Sequence, residues 1–285
     1  MSWDTQSPIS NPMPLVTDHS YLHYQYADSE KLRIRQDAHR LYSERTDNFM
    51  EWVLDRLDPQ PGERVADVGS GHGVYHPFLA RRGVRIVTVD ASLGMLAEAS
   101  ANARRAGLPV LVVQSTAESL PLADGCCDRL MANHMLYHVP DKSAALAEMG
   151  RVVKAGGRLV FTTNSEDNGA RMTQLHAEAA AELGLHADSR SPIADFTLES
   201  GYPKVRSVFP NAELVIRDDA FLFPTADAFL AYYASMRIDA LMNGPADGSH
   251  RAALIEIVGR KVQAIIDAEG VFRMSKAVGC FVVER

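Results

Sequence analysis

The chain has 285 residues, 46% hydrophobic and 23% charged, which suits one large globular domain with an insertion or two small domains. Its net charge is −7, and its densest basic cluster is only Lys31-Leu32-Arg33-Ile34-Arg35, so it lacks the basic face that phosphate neutralisation needs; a small-molecule partner is expected and nucleic acid is not. No apolar run reaches the roughly 18 residues that cross a bilayer, and the polar start through Pro8 is unlike a signal peptide, so a cytoplasmic protein with no membrane partner is expected.

Residues 1–20 are polar and carry Pro8, Asn11, Pro12 and Pro14, which predicts irregular chain. Tyr21, Tyr24 and Tyr26 lead to Ser29, an N-cap for a helix over 30–43. A second helix is predicted over 46–57, with Phe49, Trp52, Val53 and Leu57 on one face. After Pro59-Gln60-Pro61-Gly62 the chain alternates. Strands are predicted at 64–68, 85–89, 110–113, 129–132 and 158–162, and helices at 75–82, 93–106 and 142–152. That alternation implies parallel pairing, right-handed crossovers and a doubly wound α/β sheet.

Beyond Thr163 the expectations are a helix near 171–183, a strand from Glu213 to Ile216 or on to Phe223, helices over 226–242 and 251–269, and a seventh strand over 279–284. Leu254, Ile257, Val258, Val262 and Ile265 recur at helical spacing and read as core contact. The expected organisation is a helical cover over 1–59, an α/β domain over 60–224 and 270–285, and a helical insertion over 225–269 that serves as a lid. Cys126, Cys127 and Cys280 have no metal-ligand spacing; they read as reduced thiols, and no metal is expected.

The most informative stretch is Arg64-Val65-Ala66-Asp67-Val68-Gly69-Ser70-Gly71-His72-Gly73-Val74, where an apolar strand runs into three alternating glycines. Glycine lets a backbone take positive φ and approach a ligand with no side chain between them. The spacing is GxGxG after an acidic residue, not the GxGxxG of a dinucleotide fingerprint, which counts against a nicotinamide oxidoreductase. Asp67-Val68-Gly69-Ser70-Gly71-His72-Gly73 resembles the first motif of class I S-adenosylmethionine (SAM) dependent methyltransferases, and four further stretches fit that family in order over about residues 60–165. The resemblance implies a Rossmann-like SAM-binding sheet and transfer of a methyl group to O, N or C of a small organic molecule, of the kind made in bacterial secondary metabolism. The run from Leu32 to Ser43 also resembles an N-terminal segment that folds over the cofactor in bacterial small-molecule methyltransferases.

Ligands of an open α/β sheet lie beyond the carboxyl ends of its strands, so the residues there are the candidates. Asp67 either satisfies the glycine loop or touches the amino group of SAM's methionine part; Gly69, Ser70, Gly71 and Gly73 form the cradle. Asp90, 23 residues after Asp67, either takes both ribose hydroxyls or caps a helix ahead of Ala91-Ser92. The family often has Asp where this chain has Thr116, so adenine contact is expected from Thr116 and the Ala117 backbone without charge. Asn133 and His134 face the sulfonium by resemblance, and Tyr26 and Arg35 are available to the cofactor's carboxylate. His138 follows the fourth strand and is the candidate base, or else a wall of the acceptor pocket. A SAM-binding protein used as a scaffold or for a cyclisation without methyl transfer would carry the same loop.

Overall fold

A computed structural model describes residues 29–189, 191 and 193–285. The irregular stretch expected over 1–20 lies outside them. The elements are, in order, α1 (Ser29–Tyr42), α2 (Phe49–Leu57), β1 (Arg64–Val68), α3 (His76–Arg81), β2 (Arg85–Asp90), α4 (Leu93–Arg105), β3 (Val110–Gln114), β4 (Cys127–Asn133), α5 (Lys142–Val152), β5 (Val153–Asn164), α6 (Ala170–Glu182), α7 (Leu198–Val208), β6 (Glu213–Phe223), α8 (Ala226–Met236), α9 (His250–Glu269) and β7 (Phe272–Glu284). The strands form one mixed seven-stranded sheet in the order β3-β2-β1-β4-β5-β7-β6. β1 to β5 pair in parallel with one another, and β7 runs antiparallel to β5. The order reverses between β1 and β4, which makes their carboxyl ends the crevice where such sheets bind ligands.

Two compact units make up the described chain. One comprises 47–166, 193–217 and 278–285 and contains β1 to β5. Its strands are apolar on both faces and split by period two between two cores. Val65, Ile86, Met131 and Val160 pack with Val53, Leu54 and Leu57 of α2 and Leu79 of α3. Ala66, Val87, Leu130, Leu159 and Phe161 pack with Leu146 and Met149 of α5 and Val205 of α7. The other unit, 29–46, 167–189, 191 and 218–277, contains α1, α6, α8 and α9. One core joins them through Ala38, Ala179, Phe229, Tyr233, Leu254, Val258 and Val262. Within it Lys276 and Asp219 form a buried ion pair at 3.0 Å, and Lys276 Nζ lies 3.9 Å from the Phe221 ring centre.

The differences from expectation have local causes. α2 starts at Phe49, not Thr46, because the Asn48 side chain accepts from the amides of Met50 and Glu51. Ser29, the first described residue, lies within α1. The glycine turn at Lys154–Gly157 is absorbed into β5, where Gly156 has φ 75° and the register with β4 shifts between Cys127 and Arg129. Arg237 ends the helix expected to run to 242, its amide bonding back to Tyr233 O. Helix α7 was not anticipated, and β7 starts seven residues ahead of the expected Gly279. Among the described residues no helix is long and apolar enough to cross a membrane.

Candidate functional site

Register places the ends of β1 to β5 side by side, with Val68 opposite Val89, Asp90 opposite Gln114, Asp67 opposite Met131 and Asn133 opposite Thr162. Leaving β1, the chain turns through Gly69, Gly71 and Gly73, all at positive φ. The amides of Gly69 and Ser70 both donate to Val89 O, at 2.8 and 3.1 Å, which fastens the turn to β2. The three glycines differ in what excludes a side chain. A Cβ on Gly69 would stand 2.6 Å from Met135 Cγ, and one on Gly73 would enter the His76 ring, but Gly71 faces nothing within 4 Å. Two of them are packing requirements; the middle one leaves open space.

Asp90 ends β2 with both oxygens engaged: Oδ2 accepts from the Gly71 amide at 2.9 Å and Oδ1 from the Ser92 amide at 2.8 Å. The helix cap is Ser92, whose Oγ accepts from the Met95 amide, so capping is not the task of Asp90. A carboxylate bonded once at each oxygen still has a lone pair on each, suited to two hydroxyls. Asn102 Nδ2 donates to His72 O at 3.0 Å and ties the loop to α4.

Asp67 is 2% exposed, and among the described residues its Oδ2 has no hydrogen-bond partner. Burial, with the charge of Asp90 adding, pushes it up to about 8. The nearest ring nitrogen is His76 Nε2 at 3.9 Å, but that nitrogen bonds to Thr88 Oγ1 at 3.1 Å, and Thr88 Oγ1 in turn donates to Ser70 Oγ at 2.6 Å. Burial, and then His72, lower His76 to about 4 and keep it neutral.

At β3, Thr116 is exposed, with its carbonyl accepting from Ser115 Oγ, and Ala117 is buried beside it. Ala91 is exposed, and its carbonyl accepts from Gln114 Nε2. At β4, Asn133 Oδ1 accepts from Thr162 Oγ1 at 3.1 Å, while its Nδ2 is buried without a partner among the described residues. His134 follows at φ 51°; its ring centre is 5.7 Å from that of Phe49, and desolvation lowers it to about 4. His138 closes a 3-10 turn over Leu136–His138, its ring edge-on to Tyr137 with centres 4.5 Å apart. Arg35 lies on α1 in the other unit and donates from Nε to Lys31 O at 3.1 Å. Tyr26 lies outside the described residues.

Sequence reasoning missed Met135, the Ser70–Thr88–His76 chain and the unsatisfied amide of Asn133. A signal existed for the chain: Thr88 and His76 are polar residues in apolar surroundings, and buried polar groups demand partners. Together these ends offer a carboxyl acceptor at Asp67, an amide donor at Asn133, a carboxylate at Asp90 and open space at Gly71. That set fits a nucleoside carrying an amino-acid tail.

Residues 66–161 match the family model described as methyltransferase domain. The demethylmenaquinone methyltransferase of Beutenbergia cavernae is 41% identical over 108 residues, covering 38% of this chain and 43% of that protein. The ubiquinone biosynthesis O-methyltransferase of Hahella chejuensis is 36% identical over 114 residues, covering 39% and 48%. This chain therefore spans less than half the length of these relatives. Among solved structures, the [4+2]-cyclase SpnF has the same fold over 98% of this chain and 99% of its own, with TM-score 0.60 and 18% identity. Sequence motifs, family model and sheet agree on a methyltransferase domain over residues 66–161, similar to the class I, SAM-dependent type.

Proposed function

We propose that this protein moves the methyl group of SAM to a nucleophilic O, N or C of a small organic acceptor. The observation that supports this most is the contrast within the glycine loop: packing fills the space at Gly69 and Gly73, and the space at Gly71, beside the Asp90 carboxylate, is open. Asp90 would hold the ribose hydroxyls. Asp67 and Asn133 would hold the amino and carboxylate groups of the tail, and Thr116 and Ala117 the adenine edge.

Bound SAM supplies an electrophilic methyl carbon on a sulfonium. The chain's own contribution is alignment of the acceptor in line with that carbon, and positioning of this kind is worth on the order of 7 to 11 kcal/mol. Met135 fills the space against Gly69, and Tyr75, just after the loop, is buried. A proton on the acceptor, where there is one, would leave toward His138, and a general base there would add about 10² to 10⁴ in rate. His134, held neutral by its surroundings, presents an uncharged ring to a cationic centre and so does not repel it.

Incubation with methyl-labelled SAM and a panel of phenolic, amine and carbon acceptors, demethylmenaquinone among them, tests the reading. Label on an acceptor with equimolar S-adenosylhomocysteine is expected. SAM that binds but stays intact with every acceptor would favour a non-transferring SAM protein.

A further inference from the structure

Asp67 is buried, and among the described residues one of its carboxyl oxygens has no partner, so its charge state depends on which groups surround it. From α3 come His76 and, at the helix start, Tyr75; from the loop comes His72, which acts on His76; from β2 comes Asp90, and from β7 Cys280. None of these supplies a cation to Asp67. Thr88 Oγ1 gives its own hydrogen to Ser70, so it can only accept from His76, which places the ring proton on Nε2 and directs it to Thr88. The Cys280 thiol and the Tyr75 hydroxyl are both pushed up by burial and stay neutral. Among the described residues the one charge acting on it is the Asp90 carboxylate, of the same sign, and its backbone donors at Gly71 and Ser92 already hold it. A second carboxylate there, buried and without a donor to Oδ2 among the described residues, is the unfavourable state.

We propose that Asp67 holds a proton in the ligand-free protein and releases it when the cationic amino group of the cofactor takes its place beside Oδ2, so that cofactor binding expels one proton. This rests on the SAM-binding reading above. The carboxyl O–H bond breaks, the proton passes to solvent, and the carboxylate formed pairs with the ammonium. Burial supports the direction, with Asp67 at about 8 before ligand arrives. Binding that releases one proton strengthens about tenfold for each unit the pH rises toward that value and levels off above it.

Two measurements test it. In ligand-free protein with isotope-labelled aspartate, infrared spectroscopy at pH 7 should show the carbonyl stretch of a protonated carboxyl that disappears above pH 8 and is missing in Asp67→Asn. In calorimetry at pH 7, SAM binding by the unaltered protein in buffers of different ionisation enthalpy should report close to one proton released, and Asp67→Asn close to none. A proton still released by Asp67→Asn would assign it to the ligand's amino group and overturn the proposal. Tight SAM binding without proton release, or no protonated carboxyl in the ligand-free protein, would overturn it while leaving the function reading intact. A protonated carboxyl in a protein that never binds SAM would instead sink the function reading, and proton release with it.

Discussion

The glycine loop and Asp90 were legible residue by residue because a backbone that must take positive φ leaves glycine in the sequence, and a strand-end carboxylate leaves an acid at fixed spacing. Asp90→Ala removes an acceptor for the proposed ribose and loosens the Gly71 amide; calorimetry should show SAM binding weaker by about 1.5 to 3 kcal/mol, the scale of a charged hydrogen bond. Unchanged binding would remove Asp90 from the site. What could not be read is the state of Asp67, since its lack of a donor depends on Thr88 capturing the His76 proton across two elements. For His138, Ala and Gln variants separate base from wall. A base predicts that both lose about 10² or more in kcat with SAM affinity intact; near-normal turnover in Gln with loss of binding or stability in Ala assigns a wall. His134 gives a pH test. Its folded value near 4 lies below the usual 6.5, so the stability it contributes is full above pH 6.5 and is lost as pH falls from 6.5 through 4. Asn tolerates the left-handed backbone at this position, so the thermal midpoint of His134→Asn should fall less between pH 7 and 4.5 than that of the parent. The comparison is needed because Asp67, raised to about 8, pulls the opposite way over the same range in both proteins. Equal falls would discard the assignment.

Regular elements announced themselves where hydrophobic period and punctuation agreed: β1 and α5 have the boundaries expected, and β2, β3, α3 and α4 end within a residue of theirs. Two elements hid, each for a physical reason. α7 carries Pro203 in its interior, where proline normally costs a helix about 3 kcal/mol, and its N-terminus is closed by Thr197 and Ser200 bonding reciprocally, with serine where the usual signature has Glu or Gln. The first half of β7 contains Arg273, Ser275 and Lys276, which does not read as a buried strand; the partner that admits Lys276, Asp219, is distant in sequence. Because that cap compensates a compromised helix, Thr197→Ala should cost about 0.5 to 2 kcal/mol, the usual range for a lost N-cap. Thr197 is fully buried, so the upper end is expected. Chemical unfolding with the methyltransferase loops otherwise intact measures it, and a cost below a few tenths would mean that packing alone holds α7.

At the scale of the whole molecule, the segment that matches the family lies entirely within the unit of residues 47–166, 193–217 and 278–285, which is why the methyltransferase motifs were readable and acceptor choice was not. The amphipathic stretches 1–45 and 226–269, bounded by Pro- and Gly-bearing joints, gave the expectation of a lid. Described residues refine what such a lid would have to be. The apolar faces of α8 and α9 are not a loosely tethered flap: Phe229, Tyr233, Leu254 and Val258 share one core with Ala38 of α1 and Ala179 of α6. A helix pair buried in that way opens only with the elements it is packed against, since exposing its core residues alone costs about 1.5 to 3 kcal/mol for each large side chain. Hydrogen exchange with and without S-adenosylhomocysteine therefore has a definite expected pattern. Amides of 69–73, 90–92, 115–118 and 133–136 should slow because the ligand covers them. If gating operates, α1, α6, α8 and α9 should slow together and by similar factors, as one cooperative body. Slowing in α8 and α9 with α1 and α6 unchanged would overturn the single-body argument, and slowing in the strand-end loops with none in these four helices would retire the lid.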